Sequence, residues 1–185
     1  SMPEARCVER ETLFALSGDV AVSLEDGYIY AANNDAIYKT EAEALRGESF
    51  PYPVICHDRK KLYRTMCRYS IQAECCFDTM SAAYLLSPGE SAYPFDKTAL
   101  RYLSVQIPDG AEGASAWAAL RLKAPLADEI EKEGMTDLLK NIEIPLSPVL
   151  ARMEKAGFRL DCDGLHKYIE SLCEMQTQLA ERIYM

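Results

Sequence analysis

The sequence predicts an α/β layer fold, a mixed sheet covered by helices, followed by a helical C-terminal stretch. Two turn sequences, Asp26-Gly27 and Asn33-Asn34-Asp35, separate short apolar runs, the pattern of an antiparallel meander. Beyond residue 50, short apolar runs alternate with segments of helical spacing, which places helices over a sheet. From Ala114 onward the spacing is predominantly helical.

Residues 4 to 17 carry a weak helical spacing through Val8, Leu13 and Leu16, closed by Gly18. Val20–Leu24, Tyr28–Ala32 and Ala36–Tyr38 are candidate strands, and Glu41–Arg46 is a short helix ended by Gly47. Pro51 and Pro53 mark the start of a fourth strand, Pro53–His57. A helix from Asp58 to Tyr69 and a buried strand near Cys75–Phe77 follow. Asp78 is placed to cap a helix carrying Met80, Tyr84 and Leu85, which Ser87-Pro88-Gly89 ends. The helix Phe95–Leu103 brings Leu100 and Leu103 to one face, and the later helical pattern breaks at Gly134 and resumes at Thr136.

Between Asn141 and Asp161, Ile142, Leu146, Val149, Leu150 and Met153 fall at helical spacing and predict a packed helix ended by Gly157. Pro145 and Pro148 each remove a backbone N–H, so the helix restarts or bends there. Phe158-Arg159-Leu160 reads as a short extended step. The stretch Asp163 to Met185 puts Leu165, Ile169, Leu172, Leu179 and Ile183 on a stripe and lacks a C-terminal cap, which suggests a boundary cut within a longer chain. The expected division is residues 1–140 and residues 141–185.

A chain of 185 residues, 49% hydrophobic and 26% charged, suits one domain, or one domain with an appended piece. No apolar run approaches the roughly 18–20 residues of a membrane span, no signal peptide opens the chain, and Ser1-Met2 reads as a remnant of cloning. The seven cysteines show no C-x-x-C spacing and there are only two histidines, so reduced thiols in the cytoplasm are expected rather than a zinc site. A net charge of −9 argues against a free-standing nucleic-acid binder, because Lys and Arg drive phosphate binding. A nuclease can still be acidic, since its carboxylates hold metals that meet the phosphate.

Glu143, Pro145, Leu146, Val149, Leu150, Met153, Glu154 and Gly157 match the pattern E-x-P-L-x-x-V-L-x-x-M-E-x-x-G. Phe77-Asp78-Thr79-Met80-Ser81-Ala82-Ala83-Tyr84-Leu85-Leu86-Ser87-Pro88 matches F-D-T-x-x-A-x-Y-L-L-x-P, and Arg101-Tyr102-Leu103 follows. In order and spacing these pieces resemble the bacterial DNA polymerase I family (family A DNA polymerases), at the passage from the 3′–5′ exonuclease-like domain into the polymerase domain. The resemblance implies a ribonuclease H-like, DnaQ-like exonuclease fold over residues 1–140, then a junction helix and the start of a polymerase domain over 141–185. It also implies a bacterial, nucleoid-associated parent acting in DNA replication and repair, with Mg²⁺ in its polymerase domain and that domain as the chain's partner.

Active members of this family cut the 3′ end of DNA with two divalent metals held by four carboxylates, a tyrosine orienting the attacking water. The resemblance places the first motif on Ser23 and Glu25, the second on Lys61, and the Tyr and Asp of the third on Ala111 and Ser115. Only Glu25 is a carboxylate. At 4 Å and an effective dielectric of 20 a unit charge pair is worth about 4 kcal/mol, so a cation in place of an anion beside a divalent ion costs on the order of ten. The expectation is therefore a catalytically silent exonuclease-like domain with no cofactor of its own.

One rival is a working exonuclease rebuilt from Glu25, Asp26, Asp58 and Asp78, although Asp58 and Asp78 are equally suited to cap helices. Another is a contact module for DNA or the polymerase, using Arg59, Lys60, Lys61, Arg64 and Arg68 with Tyr63 and Tyr69 interleaved; a solvated helix face explains the same run. Trp117 is expected in the core, and His166 and Cys162 in packing or surface positions. The last helix, with its apolar stripe, is a candidate for pairing two copies of the isolated chain.

Overall fold

A computed structural model describes residues 2–34, 36–108 and 110–184. Ser1, and Asp35 in the second predicted turn, lie outside the described residues. The chain divides into two compact units, Ser1–Glu154 and Lys155–Met185.

The first unit is built on a six-stranded sheet of order β1-β4-β3-β2-β5-β6: β1 Ala5–Cys7, β2 Val20–Glu25, β3 Tyr28–Asn33, β4 Ala36–Glu41, β5 Val54–Cys56 and β6 Cys75–Asp78. β2, β3 and β4 form the antiparallel meander, while β1 on β4, β5 on β2, and β6 on β5 are parallel. The Asp26-Gly27 turn closes β2 onto β3 with both residues at positive φ (49° and 81°), so the hairpin signal reports the pairing of Glu25 with Tyr28.

Alternation along the strands supplies two cores. Ala21, Tyr30, Ala32, Ile37, Ile55 and Phe77 face one side, with α3 Thr79–Leu86, α4 Phe95–Leu103 and α5 Ala114–Lys132 packed around them. Val20, Val22, Ile29, Ala31 and Val54 face the other, against Leu13 of α1 Arg10–Phe14 and Leu62 and Met66 of α2 Arg59–Met66. Ala114, Ala116, Ala118 and Ala119 are buried and small enough to let α5 lie close to the sheet, and Trp117 among them is core, as expected. Gly113, at φ 69°, starts α5 where an added Cβ would stand 2.7 Å from Ile37 Cγ2.

Three expectations are corrected. Ala5–Cys7 is a strand rather than part of a helix, because parallel pairing with β4 outweighs a weak local spacing. Leu100 is exposed; α4 buries Thr98 and Ala99 instead. The stripe Ile142, Leu146, Val149, Leu150 and Met153 is exposed on the helix it predicts, which buries Ile144, Ser147 and Ala151.

That helix, α7 Ile144–Ala156, follows the short α6 Thr136–Leu138 and a π-helical turn Leu139–Glu143, so the chain remains helical through Pro145 and contains Pro148. Gly157 ends it at φ 63°. In the second unit, 158–160 has no regular structure and α8 Cys162–Tyr184 carries Leu165, Ile169, Leu172, Leu179 and Ile183 exposed along its length. His166 and Cys162 are exposed there. Among the described residues no helix is long and apolar enough to cross a membrane, and all seven cysteines are free.

Candidate active-site cleft

A cleft of about 580 Å³ opens where β2 ends, β3 begins and the chain enters α5. Glu25, Asp26, Tyr28, Asp96, Ala111 and Glu112 are among the residues that line it. Two motif positions, Glu25 and Ala111, therefore share one wall space. Ser23 and Ser115 are buried, at 7% and 8% exposure, the first two residues before Glu25 on β2 and the second in the first turn of α5. Lys61, exposed on α2, is close enough for its ammonium to favour the Glu25 carboxylate.

Burial pushes the Glu25 carboxyl above its usual range, and the nearby Ser23 hydroxyl and Lys61 ammonium only partly offset it. The Ser23 hydroxyl is buried and has no hydrogen-bond partner of good geometry among the described residues. Across the cleft Lys39 pairs with Glu112 and stands 4.4 Å from the centre of the Tyr28 ring, so a lysine already neutralises one cleft carboxylate. Among the described residues no three His, Cys, Asp or Glu side chains converge closely enough to hold a metal ion. Asp96, Glu112 and Lys39 went unnoticed in the sequence. Period-two alternation along β3, which puts Tyr28 and Tyr30 on the face of Ser23 and Glu25, was a signal that could have led to Lys39, the β4 partner of Tyr30, whereas no local pattern marks Asp96 or Glu112.

The rival carboxylates fall in two places. Asp26 lines the cleft beside Glu25, but Asp58 and Asp78 do not. Asp78 is 1% exposed at the junction of β6 and α3, where it accepts from Asp58 N at 2.9 Å, Arg59 N at 3.2 Å, Met80 N at 3.1 Å and Ser81 Oγ at 2.8 Å. Asp58, left-handed at φ 63°, caps α2 by accepting from Lys61 N at 2.9 Å. His57 ties this knot to the next loop: Nε2 donates to Tyr93 O at 2.8 Å and Nδ1 lies 2.9 Å from Thr79 Oγ1.

The basic run on α2 is largely engaged within the fold. Pro148 has no N–H to give the Ile144 carbonyl, and Arg59 Nη1 supplies the missing donor at 2.5 Å. Lys60 Nζ lies 2.7 Å and Arg64 Nη1 3.7 Å from the Glu154 carboxylate, while Lys61 and Arg68 are exposed.

With this geometry in place, the chain can be set beside known proteins. No protein-family model matches it. DNA polymerase I of Caldicellulosiruptor bescii is 28% identical over 164 residues, 85% of this chain and 19% of that protein. The chain is distantly similar to DNA polymerase I. It spans a fifth or less of the length of such relatives, 15% in the case of Treponema pallidum.

Among solved structures, the POL domain of Pol1 from M. smegmatis in complex with DNA primer-template and dNTP superposes with a TM-score of 0.73 at 20% identity, covering 98% of this chain and 37% of that one. Brucella melitensis NrnC with bound Mg²⁺ gives a TM-score of 0.61 at 15% identity, covering 83% of this chain and 92% of that one. The fold is thus the ribonuclease H-like, DnaQ-like exonuclease fold that the sequence predicts.

Proposed function

We propose that this chain is a catalytically silent 3′–5′ exonuclease-like domain of a bacterial DNA polymerase I, kept as a structural support for a polymerase domain that acts in replication and repair. One observation carries the reading: of the motif positions Glu25 alone keeps a carboxylate, Ala111 beside it in the cleft has no side-chain oxygen to give, and the Lys61 ammonium is near enough to act on Glu25. Mg²⁺ does not fit this donor set. Two divalent ions 3.5–4 Å apart require several hard anionic oxygens, and Ser23, Lys61, Ala111 and Ser115 supply none in ionised form. Glu25 and Asp26 then serve as residues of the β2–β3 hairpin, and the polymerase's own Mg²⁺ belongs to the absent domain. The exposed stripe of α8 makes a second copy a candidate partner of the isolated chain.

The test is release of labelled mononucleotide from 3′-labelled single-stranded DNA with Mg²⁺ or Mn²⁺ and an EDTA control. The expected result is no metal-dependent release. Robust release that survives further purification and disappears on Glu25→Gln or Asp58→Ala would establish the rival reading, an active site rebuilt from shifted carboxylates.

A further inference from the structure

Lys60 and Arg64 stand one helical turn apart on α2, and both reach the two oxygens of a single carboxylate, Lys60 to Glu154 Oε1 and Arg64 to Oε2. Two cations closing on two oxygens of one anion is also how basic side chains take the oxygens of a backbone phosphate. Arg68 is exposed in the turn Cys67–Tyr69 that follows α2, whereas the Lys61 ammonium lies toward Glu25 and is not part of this face. We propose that this face of α2 is a binding site for the phosphodiester backbone of a nucleic acid, and that Glu154 masks it as an intramolecular phosphate mimic.

The mask is built to be displaced. The Lys60, Arg64 and Glu154 side chains are 39%, 53% and 44% exposed, so their attraction acts in high dielectric and is screened by salt. A strand that brings several phosphates at once outweighs one carboxylate, whereas a single small anion does not. Glu154 also sits in the last turn of α7, just before the left-handed Gly157, where helices fray. The apolar stripe of α7 faces outward, leaving Ile144, Ser147 and Ala151 as its buried side chains, so the polar contacts from Arg59, Lys60 and Arg64 are a sizeable part of its hold. The Lys60 hydrogen bond keeps the Glu154 carboxyl below its ordinary range, so the mask stays charged at neutral pH.

The site is independent of the cleft: 3′ release could be present or absent without touching it. Fluorescence anisotropy of the full chain with a fluorescein-labelled single-stranded oligonucleotide tests it, with poly-glutamate as a competing polyanion. Glu154→Gln should tighten binding at low salt by about three- to ten-fold. It should also steepen the dependence of log K on log salt by about 1.4, two freed cations at roughly 0.7 each on single strands. Adding Lys60→Gln and Arg64→Gln should return the affinity to that of the unaltered chain or below. Glu154→Asp, whose shorter carboxylate cannot hold both cations, should lie between and serves should Glu154→Gln melt early. Unchanged affinity and salt slope in both Glu154 variants would overturn the proposal, as would poly-glutamate displacing the strand as well as unlabelled oligonucleotide does.

Discussion

At the end of β6 the Asp78 carboxylate has four donors, while within β2 the Ser23 hydroxyl has no partner of good geometry among the described residues. Both lie within one sheet, and both are polar groups withdrawn from water. The Asp78 knot joins β6, α3 and the start of α2, and every contact in it serves the fold. The cleft region holds a carboxylate that burial disfavours, a buried hydroxyl beneath it that only partly offsets that burial, and a lysine paired across an aromatic ring. Burial raises the pKa of both carboxyls; Asp78 is fixed by its four donors, whereas the burial of Glu25 is offset by the Ser23 hydroxyl and the Lys61 ammonium alone.

The largest effect that would break this contrast is on Asp78→Ala. Loss of the carboxylate strands three backbone N–H groups and the Ser81 hydroxyl in the interior, and urea denaturation should show about 3–5 kcal/mol of lost stability; a loss under about 1 kcal/mol would mean that the knot is not what holds the junction. Gly113→Ala comes next. An added Cβ meets Ile37 at 2.7 Å and the residue sits at φ 69°, so roughly 2 kcal/mol should be lost, read from the same denaturation curves.

His57 gives a smaller and pH-dependent effect. Burial holds its pKa below the usual imidazole value, against the pull of Asp78, the Tyr93 carbonyl and Asp58, with Lys61 acting in the same direction as burial. An unfolded imidazole takes its proton near 6.5 while the folded one resists. Its contribution is therefore complete above that pH and is lost as pH falls through it. Urea midpoints at pH 7.5 and 5.5 should differ more for the unaltered chain than for His57→Gln, and equal differences would show that the ring charges freely in the fold.

Glu25→Gln should be the mildest. With its folded pKa raised, Glu25 favours folding at low pH and loses that contribution as pH rises above about 4.5. The amide should then be neutral or stabilising at pH 7, by less than about 1 kcal/mol given how open the cleft is to solvent. A clear loss at pH 7 would make Glu25 a structural anchor like Asp78.

The meander was legible because Asp26-Gly27 states its own turn, and α3 because Asp78 states its own cap. β1 was not, since three residues become a strand only through their neighbour β4. Periodicity found α7 but not its buried face: apolar spacing says that a helix exists, while the partner surface decides which side is covered. The motif positions could be set by register on the first strand and by counting from Phe77 and from Leu120-Arg121-Leu122. Yet Asp96 of α4 and Glu112 before α5 share one cleft only in space, where Lys39 of β4 reaches Glu112. The engagement of the α2 cations was likewise hidden, because Arg59 answers a carbonyl 85 positions away that Pro148 leaves open.

Titration calorimetry of Mn²⁺ into the full chain at neutral pH addresses the silent cleft most directly. The expected result is no saturable heat and a melting temperature unchanged by the metal. Saturable binding of a pair of ions, lost on Glu25→Gln, would contradict it and return the cleft to catalysis.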